Sequence, residues 1–469
     1  MRRPDFSFDR DAFIRDSRPR VKKGLIAGAV GFLVIALLAG ATFTLVLALL
    51  LGWLVYIPAW NRVPYGRVAV LTVALLAAVL YPYYQPDMFE IPVFGEFPTV
   101  DTAVTMMIFV MMALGLNIVV GYAGLLDLGY VAFYAMGAYT AAWFASPQFG
   151  ESVKFHLGSV GVNPNAQGFH ISIWLILILA AIFTAIIGVI IGLPTLRLRG
   201  DYLAIVTLGF GEIMPQIARN GDNLFNTGFN LTNGPQGINP IDPPGFGATL
   251  GNIGLPESYL TPGSDAFPFL SDSLRLYYWT ALVLVLFTVF CSVRLRDSRL
   301  GRAWIAIRED ETAAAAMGVP LMRTKTWAYA AGAFFGGIAG AYYASFKSGT
   351  FPDDFFFNIS VFILCMVILG GMGNIWGVIL GGSFLAYLNQ EGLGNIGGWL
   401  NDHFSGQRGA EWVQLWSTDI DVPLYQYGIF GVILVIVMLF KPEGLIPSAR
   451  RKAEFEEGVA DQPLYDVSH

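Results

Sequence analysis

The chain has 469 residues, of which 55% are apolar and 13% charged, and its mean hydropathy is +0.58. Soluble domains carry roughly 25% charged residues, so the composition excludes an ordinary soluble globule and defines an integral membrane protein. The net charge of −6 says little about partners, because in a membrane protein the placement of Lys and Arg matters more than their sum; no nucleic-acid partner is expected.

A helix needs roughly 20 apolar residues to cross the hydrocarbon. On that measure the sequence predicts an all-α polytopic membrane protein with about 10–12 transmembrane helices, some short or broken. Taken in chain order, the spans are Gly24–Ala39, Thr42–Ile57, Arg67–Pro82, Asp101–Val120, Tyr130–Ala145, His170–Leu193, Tyr202–Arg219, Tyr277–Val293, Thr326–Phe346, Asn358–Trp376, Gly377–Asn389 and Leu424–Phe440. Before the first lies a basic tail, 1–23, with eight Lys and Arg. Its length and the near-unbroken apolar run to Ile57 predict a retained anchor rather than a cleaved leader. Basic residues also flank the spans at Arg62 and Arg67, at Arg197 and Arg199, throughout Arg294–Lys325, and at Lys441, Arg450, Arg451 and Lys452. These go to the cytoplasm, which puts both termini inside. The stretches Tyr83–Val100 and Asn220–Leu274 have no Lys or Arg and face outward; Glu391–Pro423, with Arg408 alone, forms a second long outer loop.

The domain reading follows. Residues 1–23 are a cytoplasmic tail, 24–100 carry extra N-terminal spans, 101–445 form the main transmembrane core, and 446–469 are a cytoplasmic tail. The core contains an outer loop at 220–276, rich in Gly, Pro and Asn as docking or connecting loops are, and a cytoplasmic loop at 294–325.

Glycine marks the interior. The runs Leu114–Tyr130, Leu208–Ile213, Ala331–Phe346 and Leu369–Gly382 are dense in small residues. Such residues let helices approach closely, or break a helix so that free backbone groups line a path. The expected translocation path is Asn117, Gly121, Gly124, Asp127, Gly209, Gly211, Glu212, Gly370, Gly371, Gly373 and Asn374. Asp127 and Glu212 are ionisable groups at membrane depth, candidates for transport or for fixing a broken helix. Neither has a regularly spaced second carboxylate or His, which weighs against a proton relay. His170 reads as interfacial, and Cys291 and Cys365, inside apolar runs, as small core residues without a disulfide or metal role.

The loop at 294–325 is polar and mixed in charge, unlike core or lipid contact. Ser298 can cap a helix, Ala313–Ala316 favour one, and Gly318 followed by Pro320 ends it. One helix of about four turns is expected, with Trp304, Ile307, Glu311 and Ala314 on one face. It suits either a solvated connector or a surface gripped by another protein. No Gly-Lys-Ser or Gly-Lys-Thr follows a glycine-rich loop and no G-x-S-x-G, H-E-x-x-H or CxxC occurs, so the chain is not expected to be an enzyme; any ATP is bound by another chain.

The segment IREDETAAAAMGVP is similar to the cytoplasmic coupling segment of ABC importer permeases. The runs Gly115–Ala142, Leu196–Ile213, Asn230–Ile238 and Ile368–Gly382 resemble the LivM family of branched-chain amino acid permeases, from about Asp101 to Leu445. The resemblance implies a subunit of an inner-membrane importer without a cofactor of its own. Its partners would be a second permease of the LivH type, two ABC ATPase subunits that bind ATP, and a periplasmic amino acid binding protein. It also implies ATPase contacts at Arg302, Trp304, Ile307, Arg308, Glu309, Asp310, Glu311, Ala313, Ala314 and Gly318. One departure is Thr312, which occupies the family's Glu position when Gly318 is the motif glycine. The alternatives are a permease for urea or short amides, an ion-coupled secondary transporter using Asp127 and Glu212, and a membrane enzyme or scaffold.

Overall fold

The computed structural model describes residues 66–88, 93–95, 97–146, 148, 173–198, 201–223, 230–241, 273–409 and 411–446. The expected tail 1–23, the spans Gly24–Ala39 and Thr42–Ile57, His170, most of the loop 220–276 and the tail past Ile446 lie outside them. The described residues form α-helices α1 (Gly66–Tyr84), α2 (Val100–Leu116), α3 (Val131–Phe144), α4 (Ile173–Thr195), α5 (Asp201–Arg219), α6 (Ser273–Asp297) and α7 (Arg299–Glu309). These are followed by α8 (Glu311–Ala316), α9 (Leu321–Phe346), α10 (Phe357–Gly370), α11 (Ile375–Tyr387), α12 (Leu393–Phe404) and α13 (Gln426–Phe440). The protein is an all-α polytopic membrane protein. Four described segments are long and apolar enough to cross a membrane: Val100–Tyr122, Trp174–Thr195, Leu274–Asp297 and Val422–Phe440.

The chain divides into two compact units. One joins the residues up to Val100 with Gly392–Asp421. This differs from the sequence reading, which placed Gly392–Asp421 in the core as an extended loop. That stretch instead carries α12, held by Asn395 Nδ2 donating to Phe94 O (2.6 Å) and by Asn401, which exchanges two hydrogen bonds of 3.0 Å with Ile420. Arg408 binds Asp402 at 3.0 Å and Asp419 at 2.9 Å. A helix with Gly394, Gly397 and Gly398 reads as a turn from sequence; tertiary hydrogen bonds hold it.

The other unit, Asp101–Glu391 with Val422 onward, is built around α9, which packs on α3 and α4. Backbones meet there with no room for side chains. A methyl group at Gly340 would overlap the Tyr134 carbonyl, and one at Gly137 the Gly337 carbonyl. Ala328, Ala333, Ala339, Ala341 and Tyr342 are fully buried between them. In a membrane this close packing supplies the association that apolar burial gives in water. Around the core, α4 presents Ile178, Ile182, Ile186 and Ile190, and α13 presents Val432, Val435 and Leu439. These purely aliphatic faces suit lipid.

One expected span does not run through. The predicted Asn358–Trp376 helix stops at Gly370, and the chain turns at Gly371 and Gly373, with φ of +109° and +84°, into a close α10–α11 hairpin. The expected span Asp101–Val120 is present as Val100–Tyr122; its last turn, Asn117–Tyr122, widens into a π-helix, and the chain then leaves helix until Tyr130.

Candidate functional site

The polar segment between α6 and α9 starts as its sequence predicts. The Ser298 side chain accepts from the Gly301 amide at 3.1 Å, capping α7. The expected single helix is, however, two. Asp310 adopts extended backbone (φ −152°, ψ 110°) and caps α8, accepting from the amides of Thr312 (2.8 Å) and Ala313 (3.0 Å) and from the Thr312 hydroxyl (2.6 Å). Those bonds, the Thr312 hydroxyl first, hold its carboxyl below the usual carboxylate range. Asp competes with helix through such local bonds and prefers caps to interiors, which explains the break. The segment ends at Gly318 (φ +85°), with Val319 N bonded to Ala314 O and Gly318 N to Ala315 O, a Schellman closure.

This hairpin is clamped to the membrane core. Trp304 is fully buried and its Nε1 donates to Thr324 O at 2.8 Å. Lys325, 5% exposed, pairs with Glu311 at 2.8 Å. Ile307 and Ala314 are buried as well. Trp304, Ile307 and Ala314 therefore face inward, which corrects their expected place on an outer contact surface: they hold the segment to its own chain. Outward stand Arg302, Glu309, Asp310, Thr312, Ala313, Ala315, Ala316 and Gly318, with Met317 at 86% exposure.

Arg308, expected at the rim, also turns inward. Its Nη1 donates to Gly121 O at 2.7 Å, at the end of the π-helical turn. Gly124 (φ +69°) lies against the Arg308 stem, where a Cβ would sit 2.8 Å from Cγ. Asn117 Oδ1, one turn back, accepts from Gly373 N at 2.8 Å in the α10–α11 break. Arg308 thus holds the first broken helix, and Asn117 ties that helix to the second. π turns cluster at functional sites, and a charge-assisted bond to a backbone carbonyl gives this one a handle. The second break is tied in turn to the chain after α13: Leu445 N donates to Leu369 O, Ile446 N to Gly370 O, and Asn374 Nδ2 to Ile446 O at 2.8 Å.

Asp127 is fully enclosed beyond the first break. Its Oδ1 accepts from Gly129 N at 2.9 Å, while Thr207 Oγ1 accepts from Leu128 N (3.0 Å) and Ser360 Oγ from Val131 N (2.8 Å). Side chains here answer the amides that the missing helical turn leaves free, a requirement at membrane depth. Asp127 is part of that scaffold. Gly370 serves close packing against Gly377, whereas at Gly211, beside Gly129, a Cβ would make only ordinary contact. Of the expected path residues, Gly209 and Glu212 lie apart from this cluster, on α5, which is regular helix despite Gly209, Gly211 and Pro215. Glu212 is exposed there, and around Gly209 there is open space.

A cavity of about 410 Å³ opens between α3, α4 and α5, lined by Tyr139, Trp143, Phe183, Met214, Ile217 and Leu231 among others. Its hydroxyls at Thr140 and Thr232 already donate to Met136 O and Ala218 O, at 2.7 Å each. It can take an aliphatic chain, and the hydroxyl of its lining residue Tyr139 is buried without a hydrogen-bond partner among the described residues.

A broken-helix bundle with a clamped polar hairpin is the build of a membrane permease. Residues 99–438 match the family described as the branched-chain amino acid transport system / permease component, and the chain belongs to that family. It is 35% identical over 369 residues to the high-affinity branched-chain amino acid transport system permease protein LivM of Escherichia coli (strain K12), covering 77% of this chain and 73% of that one. The LivM protein of Salmonella typhimurium (strain LT2) matches to the same extent. A probable branched-chain amino acid transport permease protein LivM of Methanocaldococcus jannaschii is 27% identical over 357 residues, 72% of this chain and 90% of that one. No solved structure matches.

Proposed function

We propose that this chain is the permease subunit of an ATP-driven ABC importer for leucine, isoleucine and valine. It works in the inner membrane with both termini in the cytoplasm. It acts beside a second permease of the LivH type, two ATPase subunits and a periplasmic binding protein, and has no ATPase site of its own. Family membership supports the substrate class, and the Arg308–Gly121 bond is the observation that carries the coupling. The exposed alanines of α8, with Met317, form the surface that seats in an ATPase groove. When ATP draws the ATPase subunits together, α7 and α8 move with them. Trp304 and the Glu311–Lys325 pair carry that motion into α9, and Arg308 carries it to the π turn and, through Asn117, to Gly373. The breaks are where backbone can reorient at least cost, so they open and close the path.

The test is uptake by proteoliposomes holding the four kinds of subunit. Leucine accumulation should require ATP inside and should stop when the ATPase subunits are omitted; accumulation driven by a proton or sodium gradient instead would sink the reading. Arg308→Ala should lower uptake roughly tenfold or more, in the range of typical coupling energies, with the subunit still in the membrane.

A further inference from the structure

α5 is 19 residues long, about 28 Å at 1.5 Å per residue, long enough to cross most of a membrane. It is nonetheless absent from the described helices that are apolar enough to do so. The reason lies on one face. Tyr202, Ile205, Gly209, Glu212 and Gln216 recur at steps of three and four and, with Ile213 four residues past Gly209, form one stripe. Tyr202 is 71% exposed, Ile205 64% and Ile213 51%, and Glu212 and Gln216 are exposed with them. Glu212 makes no hydrogen bond or ion pair among the described residues. It stands about 16 Å from the start of the helix and 10 Å from its end, so it cannot reach an interface by stretching.

Lipid cannot cover this stripe. A carboxylate without a partner among the described residues, on a helix that packs against membrane-crossing helices, requires water or a cation. The faces of α4 and α13 that carry only aliphatic side chains show what lipid contact looks like in this chain, and α5 is built differently. Its carboxylate sits between two isoleucines, with the open space of Gly209 beside it. That sequence of groups matches, in order, an ammonium ion and a branched aliphatic chain.

We propose that this face lines the transport path and that Glu212 receives the α-ammonium group of the amino acid in transit. Ile205 meets its aliphatic side chain, and Gly209, one turn from both Ile205 and Glu212, leaves the space in which it lies. The contact is charge-assisted, N–H to carboxylate, and is released as the path reopens on the other side. The inference rests on the importer reading for the identity of the cargo; the exposure of Glu212 on this face does not.

The experiment uses the assembled transporter in membrane vesicles, with Cys291 and Cys365 replaced by serine and a cysteine introduced as Gly209→Cys. A cationic trimethylammonium methanethiosulfonate and its anionic sulfonate counterpart are compared. The cationic reagent should react roughly tenfold faster, about 1.4 kcal/mol of charge preference, and adding Glu212→Gln should abolish the difference. A cysteine at Ile186 on the aliphatic face of α4 should react with neither. In the chain without the cysteine, Glu212→Gln should cut leucine uptake roughly tenfold or more, with Glu212→Asp recovering part of it. No reaction at Gly209→Cys means that lipid or a partner helix seals the face, and overturns the proposal. So does reaction without charge preference, which means a partner's cation already neutralises Glu212. Unchanged uptake in Glu212→Gln removes the substrate contact. Labelling is read whether or not uptake is ATP-driven, so failure of the importer reading and failure of this one are distinguishable.

Discussion

Along α9, Gly332, Gly336, Gly337 and Gly340 lie in regular helix, and each lacks a side chain because a neighbouring helix fills its place. At Gly124, Gly371 and Gly373 the backbone itself takes positive φ, and these residues lie in or beside the two helix breaks reached through Arg308 and Asn117. Gly209 belongs to neither group, with no atom near enough to meet a Cβ. The same residue type thus marks a rigid seam, a pair of joints and an open face. The difference teaches where a membrane bundle of this kind can bend: at joints held by a few hydrogen bonds, between helices locked by backbone contact.

Substitution separates the three. Gly340→Val should have the largest effect, because its Cβ would overlap a backbone carbonyl that cannot swing away as a side chain can. Overpacking of that kind costs roughly 3 kcal/mol or more, and the expected result is little or no protein in the membrane by immunoblot. Gly209→Ala should leave the amount unchanged or raise it, since Ala is the better helix former. If both variants accumulated alike, the seam would not be rigid. Arg308→Ala probes the joints between these extremes: protein present, transport lost.

The clamp comes next. Lys325 is buried with Glu311 as its counter-charge, so Glu311→Gln leaves an ammonium enclosed without one. A loss of roughly 1–3 kcal/mol is expected, measured as thermal unfolding of the purified protein. Adding Lys325→Met should restore most of it, because removing both partners leaves nothing unpaired. If the double variant were no more stable than the single, the pair would not be what fastens α8 to α9.

Much of the scaffold was legible in the residues. The helical class, most spans, the Ser298 start and the Gly318 end follow from hydropathy and from caps, which are local. What depended on distant contacts was not. Arg308 sits in a charge run that reads as a solvated rim, and only the fold brings Gly121, about 190 positions away, to its tip. Trp304 and Ile307 read as a sticky face because periodicity reports that a face is apolar and not what covers it. α12 is hidden by its glycines and recovered by long-range hydrogen bonds from Asn395 and Asn401. The break at Asp310 did leave a signal, Asp310-Glu311-Thr312 ahead of a run of alanines. Four consecutive alanines favour an unbroken helix, and the cap at Asp310 prevails over them.

That cap gives the smallest effect and the one with a pH signature. The bonds from Thr312 and Ala313 are made to the charged Asp310 carboxylate, so its affinity for a proton is lower in the folded hairpin than in an unfolded chain. A group depressed in this way stabilises the fold above its unfolded value, about 3.9, and the contribution is lost as pH falls through the lower folded one. Hydrogen exchange at the Thr312 and Ala313 amides should therefore be protected at neutral pH. It should lose protection only in the acid range, after correction for intrinsic exchange. Asp310→Asn keeps the acceptor without the charge, so protection should be weaker at neutrality and flat with pH; Asp310→Ala should lose it at every pH. A wild-type profile as flat as that of the asparagine variant would mean that the carboxylate is not what starts α8. The two-helix form of the segment would then owe its break to the clamp at Glu311 and Lys325, and the ranking of clamp above cap would stand on that pair alone.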